Sequence, residues 1–378
     1  MTVKARYTYV TAAAFLVFSG LALAQELPED DATVTYPASY FAEYRAVSVS
    51  DMLNRIPGIG LALEGNQVPS FGGNDRGLGA EGQILINGKR LAGKANEASS
   101  QLDRISADQV EYIEIIRGTS GDLDLRNTGQ LVNIVLKGER STSNISTELG
   151  FTRFHDGELK PLGTISYSGQ TGQLDYLLSA DVRSGCNGVN WWGNCHPLQE
   201  SFETSLLADR SLNETRAFDR YTEQTNYRFN TNLVYQATPN DRIAFNALYS
   251  ENDPPSDLLR TITNYQSSPV SVSIEREDTP STSNNWEFGG DYEHSFSNGS
   301  KYKLLFIVNE RNNASTRERF ASSALGQPET KNLFLDTRSR YRERIVRTSY
   351  GWGLQEGQSL EIGVEGAQTI QDSSLRLG

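Results

Sequence analysis

The stretch Ser106-Ala-Asp-Gln-Val-Glu-Tyr-Ile-Glu-Ile-Ile-Arg-Gly-Thr-Ser-Gly121, resumed after a polar run by Gly129-Gln-Leu-Val-Asn-Ile-Val-Leu-Lys137, decides how the chain is read. Two apolar strands, Tyr112–Ile116 and Leu131–Leu136, flank a polar, glycine-punctuated turn, a pattern that predicts the centre of a small compact sheet. Ser106-x-x-Gln109 has the spacing of a capping box for a turn of helix feeding the first strand. Upstream the pattern predicts a mixed α/β module; downstream it predicts a long series of alternating strands.

Within the upstream module, Val49, Met52, Leu53 and Ile56 fall at i, i+3, i+4 and i+7, so Ser48–Ile56 predicts a short amphipathic helix. Ser48 is its cap and Pro57-Gly58 stops it. The glycine-dense Phe71–Gly82 contains Gly77-Leu-Gly-Ala-Glu-Gly82, which matches G-x-G-x-x-G. A dinucleotide site needs a strand before those glycines and a helix opening on them. Here a strand, Gln83–Ile86, follows them, so no nucleotide site is expected. That strand runs into Asn87-Gly88, a hairpin signal, and back through Lys89–Leu91, and the polar Asn96–Arg104 can form one helix.

At the N-terminus Lys4 and Arg6 precede the apolar Val10–Ala24, which ends Ala22-Leu23-Ala24 before Gln25. A charged n-region, short h-region and small-x-small site predict a secretory signal peptide at residues 1–24. Its removal takes the net charge from −12 to −14. Such acidity argues against nucleic acid as a partner, because phosphate contacts need clustered Lys and Arg. At 378 residues the chain can hold more than one domain. A mean hydropathy of −0.49 excludes a bundle of membrane helices.

Residues 25–41 form a polar, acidic tail containing Asp31-Ala-Thr-Val-Thr-Tyr36, a β-prone run between breakers. A strand with free N–H and C=O groups can add to a partner's sheet edge, although on composition alone a tail without a role is the simpler reading. The only two cysteines, Cys186 and Cys195, bracket a short loop, and in an exported protein that spacing favours a local disulfide worth about 2.5–3 kcal/mol of loop closure. With His196 alone beside them, the four-ligand pattern of zinc is missing, and no metal site is expected.

From Thr142 onward the period is two. Tyr227, Phe229, Leu233 and Tyr235 alternate with polar residues, as do Trp286, Phe288 and Tyr292 against Glu287, Asp291 and Glu293. Tight turns at Gly169–Gly172, Thr238–Asp241, Ser297–Ser300 and Glu356–Gln358 alternate with long polar loops near 184–220, 253–282 and 313–338. A sandwich has no reason to keep all its short turns on one rim, whereas a membrane barrel does. The fold class expected is therefore a mixed α/β domain at 42–140, followed at 141–378 by antiparallel transmembrane β-barrel strands, about nine in number. Bacterial single-chain barrels have an even number of strands, so the sequence is expected to be the N-terminal part of a longer protein.

The order of motifs resembles the TonB-dependent outer-membrane receptor family. Leu53-x-x-x-Pro57-Gly58, Arg76-Gly77, Gln83-Ile-Leu-Ile-Asn-Gly88, Ile113-Glu-Ile-Ile-Arg-Gly118 and Leu131–Lys137 resemble the plug motifs of that family in sequence order. Thr119 stands where the family usually has Pro, and Asp122–Gln130 replaces its usual glycine-paired stretch, which leaves the substrate open. The resemblance implies a plug inside an outer-membrane barrel and a contact strand for TonB, the TonB box, at Asp31, Ala32, Thr33, Val34, Thr35 and Tyr36. It implies an inner-membrane energising complex as partner, surrounding outer-membrane lipid, and import of a scarce small-molecule nutrient, a siderophore-type chelate or an oligosaccharide. A surface receptor or adhesin without transport is the alternative. Arg76 and Arg117 are candidates to tie plug to barrel, though solvated surface arginines fit them as well. Trp191 and Trp192 could stack on a ligand, or pack on each other or in a membrane-interface girdle. His155, His196 and His294 are scattered, no catalytic motif is present, and neither catalysis nor a cofactor is expected.

Overall fold

The computed structural model describes residues 2–19, 33–57, 84–88, 102, 105–117, 130–137, 143–153, 157–185, 198–253, 256–355 and 358–378. Ahead of the plug, β1 (Thr2–Ser19) is an extended strand. The small domain that the resemblance implies is the plug holds β2 (Thr33–Pro37), α1 (Val49–Leu53), β3 (Ile84–Ile86), β4 (Val110–Arg117) and β5 (Gln130–Leu136). Its sheet has the order β2-β4-β5-β3: the first two pairings are antiparallel and β3 runs parallel to β5.

The helix forms as the spacing predicts. Ser48 Oγ accepts from Asp51 N and Asp51 Oδ2 accepts from Ser48 N, a reciprocal cap that satisfies orphan donors of the first turn. Its apolar stripe, Val49, Met52, Leu53 and Ile56, is buried against Ile84, Ile113, Ile115, Val132 and Ile134 of the sheet. On the opposite sheet face, buried Asn133 donates to Glu114 Oε2 at 2.8 Å and accepts from Gly88 N at 2.7 Å. Asn87 and Gly88 have φ of 51° and 73°, as the sequence predicts for a tight turn, and Asn87 Oδ1 accepts from Leu136 N. The expected return strand Lys89–Leu91 lies outside the described residues, as does Asn96–Arg104 apart from buried Leu102.

Two local expectations change, and one further pairing was not foreseen. The capping box at Ser106 does not form: Ala107–Gln109 is one turn of 3-10 helix with no side-chain cap, and the Gln109 amide is engaged elsewhere. Thr33–Tyr36 is not an unpaired strand in a tail, because β2 lies along β4 from Thr33↔Ile116 to Pro37↔Tyr112. Asp31 and Ala32 are outside the described residues. Finally, β1 in the expected signal peptide pairs antiparallel with the edge of the large sheet, from Thr2↔Arg376 to Ser19↔Ser359. An open edge offers a full row of unpaired N–H and C=O groups, and a long β-capable segment satisfies them.

The large sheet is built from β6 (Asn144–Arg153), β7 (Leu159–Thr171), β8 (Leu174–Gly185), β9 (Leu198–Leu206), β10 (Leu212–Thr222), β11 (Gln224–Thr238), β12 (Asp241–Asp253), β13 (Ser256–Asn264), β14 (Ser271–Thr279), β15 (Ser281–Ser295), β16 (Lys301–Ser322), β17 (Thr330–Gln355) and β18 (Gln358–Leu377). Nine of them pair in the order β6-β7-β8-β11-β12-β15-β16-β17-β18, all antiparallel. The sheet does not close on itself among the described residues. The tight turns all connect strands at the same end of this sheet.

The polar loops of the sequence are largely strand. β9–β10 and β13–β14 are hairpins inserted in the first two, and β16 and β17, 22 and 26 residues long, extend through most of the third. These insertions pair β9-β10-β13-β14 onto the upper part of β16. Their charged residues, which read as loop, are spent on cross-strand ion pairs. Arg317 meets Glu277 at 2.7 Å, Arg260 meets Glu275, and Arg276 meets Glu329 at 2.8 Å, holding the Glu329 carboxyl below the usual carboxylate range. Truncating Ile113 to Ala should destabilise the plug by about 2–5 kcal/mol. Hydrogen exchange should speed up at β3, β4 and β5 amides and leave β15–β17 unchanged.

Candidate functional site

The two faces of the large sheet have opposite polarity, and the buried one is polar. Across one row, Ser166, Ser179, Asn230, Leu248, Glu287, Asn309, Glu343 and Thr369 are direct cross-strand partners, hence on one face. Glu287 and Glu343 are only 0% and 1% exposed. On the other face Phe229 and Val346 are each 54% exposed, and Ile165, Ile243, Phe245, Phe288, Leu304, Phe306, Ile362 and Val364 are also bare. A contiguous apolar surface of this extent marks an interaction or membrane surface.

Aromatic rows bound that apolar belt. Toward the tight turns lie Tyr167–Tyr176, Tyr292–Tyr302, Phe296–Tyr350 and Tyr350–Trp352, with ring centroids 5.0 to 6.4 Å apart. Toward the long hairpins lie Trp286–Phe288 at 5.4 Å and Tyr249, which pairs with Trp286 across the strands. Tyr227 and Tyr235 lie on the outward face near either end of the belt on β11; they are roughly 27 Å apart along the strand, or about 20 Å along the axis of a strand tilted as in membrane barrels.

The plug touches the polar face. Gln109 Nε2 donates to Ser168 Oγ of β7, a buried contact, and Leu177 of β8 packs against the plug core. Ser168 and Leu177 are register partners on the same face as Ser166 and Ser179. The face that carries carboxylates and amides is therefore the one the plug meets, and the bare face is apolar.

Farther along the polar face, Arg228 and Arg311 lie in one row with Ser250, Asn285 and Tyr341. Neither arginine has a carboxylate at ion-pair distance among the described residues, and neither side-chain polar atom of neighbouring Asn230 has a protein partner there. Two cations and an unpartnered amide on this polar face are the donors an anionic or hydroxyl-rich solute needs.

Of the residues singled out from sequence, Thr33 to Tyr36 occupy the edge of the plug sheet, with Thr33, Val34 and Thr35 exposed. Arg117 ends β4 opposite Gln130. Arg76, Cys186, Trp191, Trp192, Cys195 and the polar segment Gly118–Gly129 lie outside the described residues, as do His155 and His196. His294, at the tight-turn rim, bonds Asp241 at 2.7 Å. Sequence reading missed Gln109 as a plug–sheet contact because a Ser-x-x-Gln spacing has a local explanation that competes with a distant one. It missed Arg228 and Arg311 because only register shows that they share a row.

Residues 29–128 match the family described as the TonB-dependent Receptor Plug Domain. Over that segment the chain is similar to the plug domain of TonB-dependent receptors. Among solved structures, a mutant of the ferric enterobactin receptor PfeA of Pseudomonas aeruginosa is 13% identical over 87% of this chain and 60% of its own, with a TM-score of 0.27. The ferric preacinetobactin receptor BauA of Acinetobacter baumannii is 12% identical over 90% of this chain and 58% of its own, with a TM-score of 0.28. The copper transporter OprC is 10% identical over 86% of this chain and 55% of its own, also with a TM-score of 0.28. The chain thus spans about three fifths of the length of these structures or less.

Replacing Gln109 of the plug by Ala should leave buried Ser168 without this donor and weaken the plug–sheet contact by about 1–3 kcal/mol. The expected result is earlier loss of hydrogen-exchange protection at Gln109–Ile113 than in the unsubstituted chain, with β16 and β17 unaffected.

Proposed function

We propose that this chain is the plug and N-terminal barrel portion of an outer-membrane receptor that imports a scarce nutrient with energy delivered through TonB. The observation that carries this reading is the plug seated on the polar face of an antiparallel sheet whose other face is an aromatic-bounded apolar belt. In lipid strands must pair and the outward side chains at bilayer depth are apolar, and the belt between the two aromatic rows suits that setting. An open channel needs no such plug. Residues 1–24 serve as the export signal, and the barrel lies in the bacterial outer membrane.

In this reading the edge of β2 is the TonB contact, with Asp31, Ala32, Thr33, Val34, Thr35 and Tyr36 as the paired segment. Its backbone groups on the side away from β4 face no other strand among the described residues, which suits addition to a partner's edge. Arg76 and Arg117 help fix the plug to the wall, Cys186 and Cys195 close an outer loop, and Trp191 and Trp192 on that loop stack on ligand. The cargo is a siderophore-type chelate or an oligosaccharide. Arg228 and Arg311 favour the anionic chelate.

Deleting Asp31–Tyr36 should abolish uptake of the cognate ligand by cells expressing the complete receptor while surface binding of the same labelled ligand persists. Uptake that survives the deletion, with binding intact, would place the protein among surface receptors or adhesins that do not transport.

A further inference from the structure

We propose that β9 is a pairing edge for a second copy of this chain, the two β9 strands meeting antiparallel across a two-fold axis at Phe202. β9 ends the path of the inserted strands, β14-β13-β10-β9, and no strand lies along its other side among the described residues. An edge of this kind presents a row of main-chain donors and acceptors with which a further strand can pair. Natural edges are blunted by Pro, by Lys or by shortness, whereas β9 is nine residues long and its sequence, Leu198-Gln-Glu-Ser-Phe-Glu-Thr-Ser-Leu206, holds neither Pro nor Lys. It is exposed along its whole length.

The pattern of the strand is nearly the same read in either direction about Phe202. Leu198, Phe202 and Leu206 share one face, being four residues apart in a period of two. They are 37%, 67% and 56% exposed, and the residue opposite Phe202 on β10 is Ala217, too small to cover a ring. Across the two-fold axis Leu198 faces the second copy's Leu206 and Phe202 faces the second copy's Phe202. Glu200 faces the second copy's Thr204, and Glu203 its Ser201. Each apolar group thus meets an apolar group and each carboxylate a hydroxyl. Slipping the register by one or two residues either way sets Glu200 against Glu203, Glu203 against itself, or Phe202 against a glutamate. All of these are unfavourable, so the two glutamates select the register that the three apolar residues favour. The match is of the strand to itself, which is what an isologous interface between identical chains requires.

The place of β9 in the fold suits such a pair. Four steps of pairing separate it from β16, and at about 20–25° of twist per step they turn β9 roughly crosswise to the wall strands. The two-fold axis of an antiparallel pair is perpendicular to its sheet. In the barrel reading, on which this placement alone rests, that turn brings the axis toward the membrane normal, the orientation that lets two copies stand side by side in one membrane. Confinement to one membrane also raises the concentration that each edge presents to the other, as a tether does.

The test uses the full chain in detergent, with its mass read by analytical ultracentrifugation over a range of concentrations. We expect reversible dimers, weakened roughly tenfold in affinity by each of Phe202→Lys and Phe202→Glu, which set like charges on the two-fold axis. Mixing the two variants should restore pairing, because lysine then meets glutamate; a variant that had merely misfolded would not be rescued. Register is read by disulfide trapping with Cys186 and Cys195 replaced by Ser. Ser201→Cys mixed with Glu203→Cys, or Glu200→Cys mixed with Thr204→Cys, should give linked dimers, since one of the two is the closely spaced kind of antiparallel pair. Glu200→Cys mixed with Glu203→Cys should not. A chain that stays monomeric throughout, dimers that survive both Phe202 substitutions, or links in the shifted mixture would overturn the proposal. Protection of every β9 amide from hydrogen exchange in dilute monomer, in place of every second one, would show the edge covered by another segment of the same chain and overturn it too. The deletion of Asp31–Tyr36 tests import separately: loss of pairing at Phe202 with uptake intact sinks this inference alone, and uptake that survives the deletion sinks the import reading alone.

Discussion

A carboxylate can be held out of water only where hydrogen bonds or opposite charge meet it, and that constraint organises the large sheet. Glu287, Asp291 and Glu343 are buried on the same side as Ser166, Ser168, Asn230 and Asn246, and the plug approaches that side through Gln109 and Leu177. Arg242 meets Asp291 at 2.6 Å and Thr369 donates to Glu343. Charge and hydrogen bonding are thus concentrated where a second body covers the sheet. The opposite face needs no such partners, because Phe229, Phe288 and Val346 carry nothing to hydrogen-bond.

The second constraint is the backbone. Each strand in the main sequence of nine pairs with at least one antiparallel neighbour, and the inserted hairpins carry pairing well past the belt. There the chemistry changes from apolar side chains to ion pairs such as Arg317–Glu277 and Lys331–Glu318. Exposed pairs of this kind contribute little singly, typically under about 1 kcal/mol, but cross-strand pairs of opposite charge fix register, which a polar two-sided strand otherwise lacks. That explains how segments that read as polar loops become strands.

Much of the fold was legible because period and punctuation agree with it. The burial of Val49, Met52, Leu53 and Ile56 follows the helical spacing, the Asn87-Gly88 turn has both residues at positive φ, and the nine main strands and their tight turns fall where alternation and glycine put them. The hairpins β9–β10 and β13–β14 were not legible, since Arg, Glu and Thr alternate there with too few apolar residues to mark a face. The candidate site was legible only in part. The β2 strand stands out from composition, but its pairing with β4 depends on a partner about 80 residues away. The row joining Arg228 to Arg311 depends on register alone.

The pairing of β2 with β4 bears directly on how a pulling partner would act. Five residues are held at the sheet edge, mostly exposed, and their pairing faces a long-range neighbour rather than a hairpin. Each backbone hydrogen bond contributes a net of about 0.5–1.5 kcal/mol, so a strand of this length is held by a few kcal/mol. A partner adding to its free edge forms a comparable number of bonds without first breaking any. From β2 the pairing continues through β4, which carries Ile113 and Ile115 of the core, to β5 and the Asn133 clip on Glu114 and Gly88, the route a load on that edge would follow. If β2 were a detached tail, the same pull would straighten it before reaching the plug. Pairing to β4 removes that slack, so a load placed on β2 would meet a folded sheet before any free chain.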